Sequence, residues 1–180
     1  MKQKSIYKYA AEAGVPVGVY LTLMAACFFF SMELPILSLL IFPLALGFPF
    51  YLGYFVRKIG KLQPSYMKFS SLWLGGIYTV IFGTLICMFF SSIYVVFFNQ
   101  GFVNSYCVNI IETLESSPVA SEYEASVEML KRMIDLRLLP SAMDFVISLG
   151  WFTCFSGSIL SLIIAVIISR NSNNVRKVLG

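Results

Sequence analysis

From Val15 to Val56 the chain carries a single charge, Glu33. No other stretch constrains the fold as tightly. A continuous helix of that length would rise about 60 Å, twice the ~30 Å hydrocarbon core of a bilayer. The run must therefore fold back once. The place for the turn is Met32-Glu33-Leu34-Pro35, because Pro35 lacks an amide hydrogen and disfavours helix at the residue before it. Helix 1 is expected over about Val15–Met32 and helix 2 over about Pro35–Val56. Pro43 and Pro49 should kink helix 2, which membrane helices tolerate where neighbours satisfy the freed carbonyls. Met24-Ala25-Ala26-Cys27 resembles a lipoprotein cleavage box. Phe28-Phe29-Phe30 then continues the apolar run, so helix 1 reads as a span and not a cleaved signal.

The rest of the chain has the same character. Of its 180 residues 58% are hydrophobic and 12% charged, with mean hydropathy +0.82. Soluble domains carry about 45–50% apolar and about 25% charged residues. Stretches such as Ile77 to Phe90 do not alternate in polarity, which excludes a transmembrane barrel. A third helix is expected over about Ser71–Phe98 and a fourth over about Ala142–Ser169. The fold class is thus an all-α integral membrane protein, a single domain over residues 1–180 with spans at about 15–32, 35–56, 71–98 and 142–169.

The segment at residues 99–141 between the third and fourth spans is the one long polar stretch. Val103, Cys107, Ile110 and Leu114 are spaced four, three and four, opposite Ser105, Asn109 and Glu112. That is an amphipathic helix. Pro118 breaks it. Ser121 and Glu124 have the form of a capping box. Tyr123, Val127, Leu130, Ile134 and Leu138 then form a second stripe, which Pro140 should end. Ser141 and Asp144 form a further capping box, opening the fourth span. The two helices can pair as a hairpin or lie flat on the bilayer. Asn99–Asp144 holds seven acidic and three basic residues, which disfavours adsorption to anionic lipid. An amphipathic helical hairpin over the outer mouth of the bundle is therefore preferred.

Charge sets the expected orientation. Lys2, Lys4, Lys8, Arg57, Lys58, Lys61, Lys68, Arg170, Arg176 and Lys177, ten of the 13 basic residues, fall on the side of the two termini. Glu33, Glu112, Glu115, Glu122, Glu124, Glu128, Asp135 and Asp144, eight of the nine acidic residues, fall on the other. The positive-inside rule puts both termini in the cytoplasm and residues 99–144 outside, periplasmic in a bacterial inner membrane.

The inventory of reactive groups is sparse. Histidine is absent, which removes the commonest general base and metal ligand. The four cysteines form no Cys-x-x-Cys pair. No ionisable residue falls within the four expected spans, where proton relays and ion-coupled transporters keep theirs. Glu33 and Asp144 at the outer surface could act as paired carboxylates, but interfacial caps or solvated ends account for them. Cys107 on its stripe reads as a small packed hydrophobe over a redox thiol. No catalytic, cofactor-binding or metal-ligating residue is nominated. Small residues suggest close helix approach instead: Gly157, Ser161, Ala165 and Ser169 on helix 4, Gly14 and Gly18 on helix 1, and Gly75, Gly76 and Gly83 on helix 3. They serve packing within the bundle, or else self-association or a partner helix.

Tyr9-Ala-Ala-Glu-Ala-Gly14 before helix 1 and Arg57-Lys58 closing helix 2 resemble the domain of unknown function 4199 family. So do Tyr66-Met-Lys-Phe-Ser-Ser71 leading to Gly75-Gly76, and the long segment before the last span. The resemblance implies a four-span bacterial inner-membrane protein with no assigned activity and no recognised catalytic residue. It also implies an envelope-glycan setting, beside genes for a polyprenyl-phosphate glycosyltransferase. The functional expectation is a non-enzymatic accessory or scaffolding subunit of a cell-envelope membrane complex, without cofactors. The alternative is a small transporter or flippase for a lipid-linked, polyprenyl-phosphate substrate. An intramembrane enzyme ranks below both, since no polar cluster at one depth is advertised.

Overall fold

A computed structural model describes residues 6–31, 33–62, 68–99, 101–117 and 120–179; for 120–122 and 171–179 it gives the backbone course alone. The described chain is all helical: α1 (Ile6–Phe30), α2 (Ile36–Leu62), α3 (Phe69–Phe98), α4 (Phe102–Glu115), α5 (Ala120–Asp135) and α6 (Ala142–Leu179). Among the described residues four helices are long and apolar enough to cross a membrane: Ile6–Phe30, Ile36–Leu62, Phe69–Phe98 and Ala142–Arg170.

These helices run past the apolar segments. α1 begins ahead of Val15 and takes in Lys8 and Glu12, α2 continues through Arg57, Lys58 and Lys61, and α6 continues beyond Ser169. Backbone hydrogen bonding does not stop where the hydrocarbon does. Long cationic side chains can keep their stems on apolar surface while the charge reaches water. At 1.5 Å per residue, 25 to 30 residues rise about 38–45 Å, which reaches through a ~30 Å core into the headgroup layers.

The expected turn is present. Glu33 N and Leu34 N both donate to Phe30 O, at 3.1 and 3.0 Å, and α2 starts one residue after Pro35. Pro43 and Pro49 lie inside α2, and Pro16 lies inside α1. Each removes one helical donor.

The helices form two compact units: residues 1–90 with 149–180, and residues 91–148. In the first unit the residue pairings show how the helices run. Gly14 meets Phe82 and Thr79, and Gly18 meets Gly83 and Ile86. Contacts that advance together mean α1 and α3 are parallel. On α3 and α6, Met88 faces Gly150, Val80 faces Gly157, and Gly76 faces Ser161. These contacts advance in opposite senses, so that pair is antiparallel. α2 is antiparallel to α3, through Ile59 at Gly75 and Val56 at Gly76. The directions alternate along the chain, as four successive crossings of one bilayer require. Leu52 and Val56 of α2, Leu72 and Val80 of α3, and Ile164 and Ala165 of α6 form the shared core.

α2 is the least covered of the four. Phe42, Leu46 and Phe50 are 73, 72 and 81% exposed. Such surface is stable facing lipid tails, which are as apolar as the side chains themselves.

In the second unit α4 and α5 pack against one another. Phe102 is buried, stacked on Tyr106 at 5.9 Å and tilted against Phe145 at 6.0 Å. Ile111 and Val127 are buried too, and Lys131 Nζ lies 2.6 Å from Glu115 Oε1. The expected stripe on α4 faces inward: Val103, Cys107, Ile110 and Leu114 are half-buried, flanked by Phe102 and Ile111. Ser105, Asn109 and Glu112 are exposed.

α5 departs from its expected limits. It is helical from Ala120, so Ser121 lies within the first turn and not ahead of it; its side chain and Pro118 are outside the described residues. It ends at Asp135, before Pro140. Leu138 N donates to Met133 O at 2.9 Å and Arg137 N to Ile134 O at 3.0 Å, with Arg137 at φ 53°. This is a Schellman closure, with arginine at the left-handed position where glycine is usual. Leu138 consequently lies past the helix and is exposed.

Candidate functional site

Every small-residue face proposed for association is at least partly occupied within the chain. A Cβ on Gly14 would fall 2.5 Å from Phe82 Cβ, and one on Gly18 would fall 3.0 Å from Gly83 O. Gly157 packs on Val80, Ser161 packs on Gly76, and Ser161 and Ala165 are fully buried. Ser169 is half-buried. The packing alternative accounts for these positions.

Asp144 and Glu33 both lie in local structure. Asp144 Oδ2 accepts from Ser141 N at 3.2 Å and from Ser141 Oγ at 2.7 Å, while Asp144 N donates to Ser141 Oγ at 3.1 Å. That is the capping box read from the sequence. Glu33 sits in the α1–α2 turn. Cys107 is half-buried on α4, and burial pushes its thiol pKa up, the opposite of an activated thiolate. Among the described residues no group of three His, Cys, Asp or Glu could hold a metal ion.

Two features remain that a ligand or partner could use. The first lies between α1 and α2. Tyr20 donates to Leu44 O at 2.7 Å, next to the Ala45 carbonyl that Pro49 deprives of its helical donor. The Tyr20 ring stacks on Tyr51 at 4.8 Å, and Tyr51 meets Phe55 edge-on at 5.1 Å. This aromatic column ends at a pocket of about 180 Å³ lined by Tyr9, Glu12, Ala13, Phe55, Lys58, Ile59 and Leu62. The pocket brings one carboxylate and one ammonium together over an apolar floor. It was missed in the sequence because Glu12 and Lys58 lie outside the apolar runs. A usable signal was there: Tyr9, Glu12 and Ala13 are spaced three and one, and Phe55, Lys58, Ile59 and Leu62 are spaced three, one and three, each set lying on one helical face.

The second feature is on α5. Val127, Leu130 and Ile134 turn inward, yet Met129 on the opposite side of α5 and Leu136 in the turn that closes it are 65 and 67% exposed. Glu128 and Arg132, paired at 2.6 Å, lie between the two faces.

Comparison with known proteins returns one family. A family model described as "Protein of unknown function (DUF4199)" matches residues 13–170. No curated protein matches the chain, and no solved structure does.

Proposed function

The chain belongs to the DUF4199 family, and from that premise we propose that it is a non-enzymatic subunit of a bacterial cell-envelope complex. In this reading the four spans anchor it in the inner membrane with both termini in the cytoplasm. α4 and α5 stand on the periplasmic side and bind a partner protein. The observation that carries the reading is the exposed apolar surface on α5 and the turn that closes it. The inward face of α5 is satisfied by α4, whereas Met129 and Leu136 stay in the open on a segment outside the four spans. The net basic termini and the acidic α4–α5 segment support the orientation. The flippase reading ranks second. It requires a polar passage at mid-depth, where Gly157 against Val80 and Ser161 against Gly76 fill the α3–α6 seam.

The test is photo-crosslinking in native membranes, with a photoreactive residue at Met129 or Leu136 and a control at buried Val127. A discrete protein adduct from the two exposed positions but not from Val127 is expected. Adducts to lipid alone, or equal adducts from all three, would defeat the proposal. Impermeant maleimide should label a Met129→Cys variant in cells whose outer membrane has been permeabilised; protection until the inner membrane is lysed would reverse the orientation.

A further inference from the structure

We infer that the N-terminal half of α2, residues 36–48, is a strap that swings on a hinge at residues 47–49 and is latched to α1 by the Tyr20 hydroxyl. The inference does not rest on the partner reading. It starts from an asymmetry along one helix. The buried residues of α2 are Leu52, Val56, Ile59 and Gly60, all beyond Pro49. Leu52 and Val56 belong to the shared core, which fixes that half in place. Ahead of Pro49 every described residue of α2 is half-buried or exposed, and Ile36, Leu39, Phe42 and Leu46 are each more than two-thirds exposed.

The boundary between the halves has the chemistry of a hinge. Pro49 offers no amide hydrogen to the Ala45 carbonyl, and Pro43 offers none to the Leu39 carbonyl. Sharp helix bends concentrate at such sites. Gly47 lies between the two prolines and constrains the backbone least of all residues. A bend of about 20° at Pro49 would carry Leu39, about 15 Å along the axis, sideways by about 5 Å. The turn at the far end leaves room for this. Glu33 N and Leu34 N fold it back onto Phe30 O, and the linker from Phe30 to Ile36 reaches about 20 Å when drawn out.

Tyr20 straddles the hinge. Its ring stacks at 4.8 Å on Tyr51, in the fixed half. Its hydroxyl donates at 2.7 Å to Leu44 O, in the strap, and its ring also meets Phe48 at 6.1 Å. A Cβ on Gly47 would fall 2.9 Å from the hydroxyl oxygen, so glycine at that position gives the latch its room. Within the hydrocarbon no water can replace the bond. The strap therefore stays closed until another polar group offers itself to the Tyr20 hydroxyl.

The experiment is pulsed electron double resonance on the full chain in lipid nanodiscs, with genetically encoded spin-labelled residues in two pairs. The first pair, Val15 with Leu39, spans the hinge; the second, Val15 with Leu62, reports the fixed half. All three positions are exposed. In the unmodified chain the first pair should give the broader distance distribution. Tyr20→Phe keeps the ring and removes only the hydroxyl, and it should give the first pair a population several ångströms longer while leaving the second unchanged. Gly47→Ala should do the same by displacing the hydroxyl. No change of the first pair in either variant overturns the inference, as does an equal change of both pairs. If neither variant folds, the unmodified chain decides by itself, because equal widths for the two pairs would leave α2 a single rigid rod.

Discussion

Glycine to alanine at two positions in this bundle should have opposite effects. At Gly14 an added Cβ would lie 2.5 Å from Phe82 Cβ and 3.3 Å from Thr79 O. Carbon atoms settle about 3.5–4.0 Å apart, so α1 and α3 must separate locally by about 1 Å. Overpacking of that kind costs about 1–3 kcal/mol. The helical preference of alanine over glycine returns about 0.5–1 kcal/mol. Gly14→Ala should therefore lose about 1–2 kcal/mol net. At Gly53 the nearest atoms to an added Cβ are Ile164 Cγ2 and Cδ1, at 3.9 and 4.0 Å. That is ordinary contact, so Gly53→Ala should gain about 0.5–1 kcal/mol. The assay is SDS-titrated unfolding in mixed micelles, read by tryptophan fluorescence in a Trp151→Phe background. Trp73 packs against the shared core, whereas Trp151 is exposed, so the remaining signal reports the bundle. Losses of similar size at both glycines would refute the packing argument, and a gain at Gly14 would refute the parallel α1–α3 crossing itself.

Four further outcomes are expected. Arg137→Gly should stabilise the α4–α5 unit by about 1 kcal/mol, because a left-handed residue with a Cβ costs about 1–2 kcal/mol; hydrogen exchange at Leu136–Leu138 should slow, and faster exchange would contradict it. Asp144→Ala should cost about 1 kcal/mol through loss of the cap, with fraying confined to the first turn of α6; an unchanged melting curve would count against the capping box. Ser161 Oγ is buried without a hydrogen-bond partner among the described residues, so Ser161→Ala should hold or raise stability by about 1 kcal/mol, and a clear loss would show that the hydroxyl has a partner. Cys107, with its pKa raised by burial, should react with maleimide more slowly at pH 7 than an ordinary thiol. The rate should climb as pH passes above the usual cysteine range of about 8.5; a plateau reached below that range would oppose it.

What the sequence made legible was whatever depends on polarity along the chain. The turn at Glu33-Leu34-Pro35 follows from an apolar run too long for one crossing. The inward face of α4 follows from a four-three-four spacing, and the cap at Ser141 and Asp144 from side-chain chemistry three residues apart. What it hid depends on which helices meet. The stripe through Gly157, Ser161 and Ala165 reads alike whether it faces α3 or a second protein, because small residues record close approach and not the identity of the neighbour. Helix ends were hidden too. The apolar run closes near Val56, but the α2 backbone continues to Leu62, and the pocket lies on those added turns. The end of α5 was placed at Pro140, the obvious breaker, whereas the helix closes earlier through an arginine that no propensity scale would nominate.

The first unit is assembled from both ends of the chain, residues 1–90 and 149–180. That arrangement has a consequence for biogenesis. The groove on α3 formed by Gly76 and Val80 is filled by Ser161 and Gly157, which leave the ribosome about eighty residues later. At about 5–20 residues per second, the wait is on the order of 4–16 seconds. Throughout it the newborn protein holds three spans and an open seam in the bilayer, and α4 and α5 are made before the seam shuts. A chaperone or a lipid that occupies the seam in that interval would be competing with the protein's own last helix.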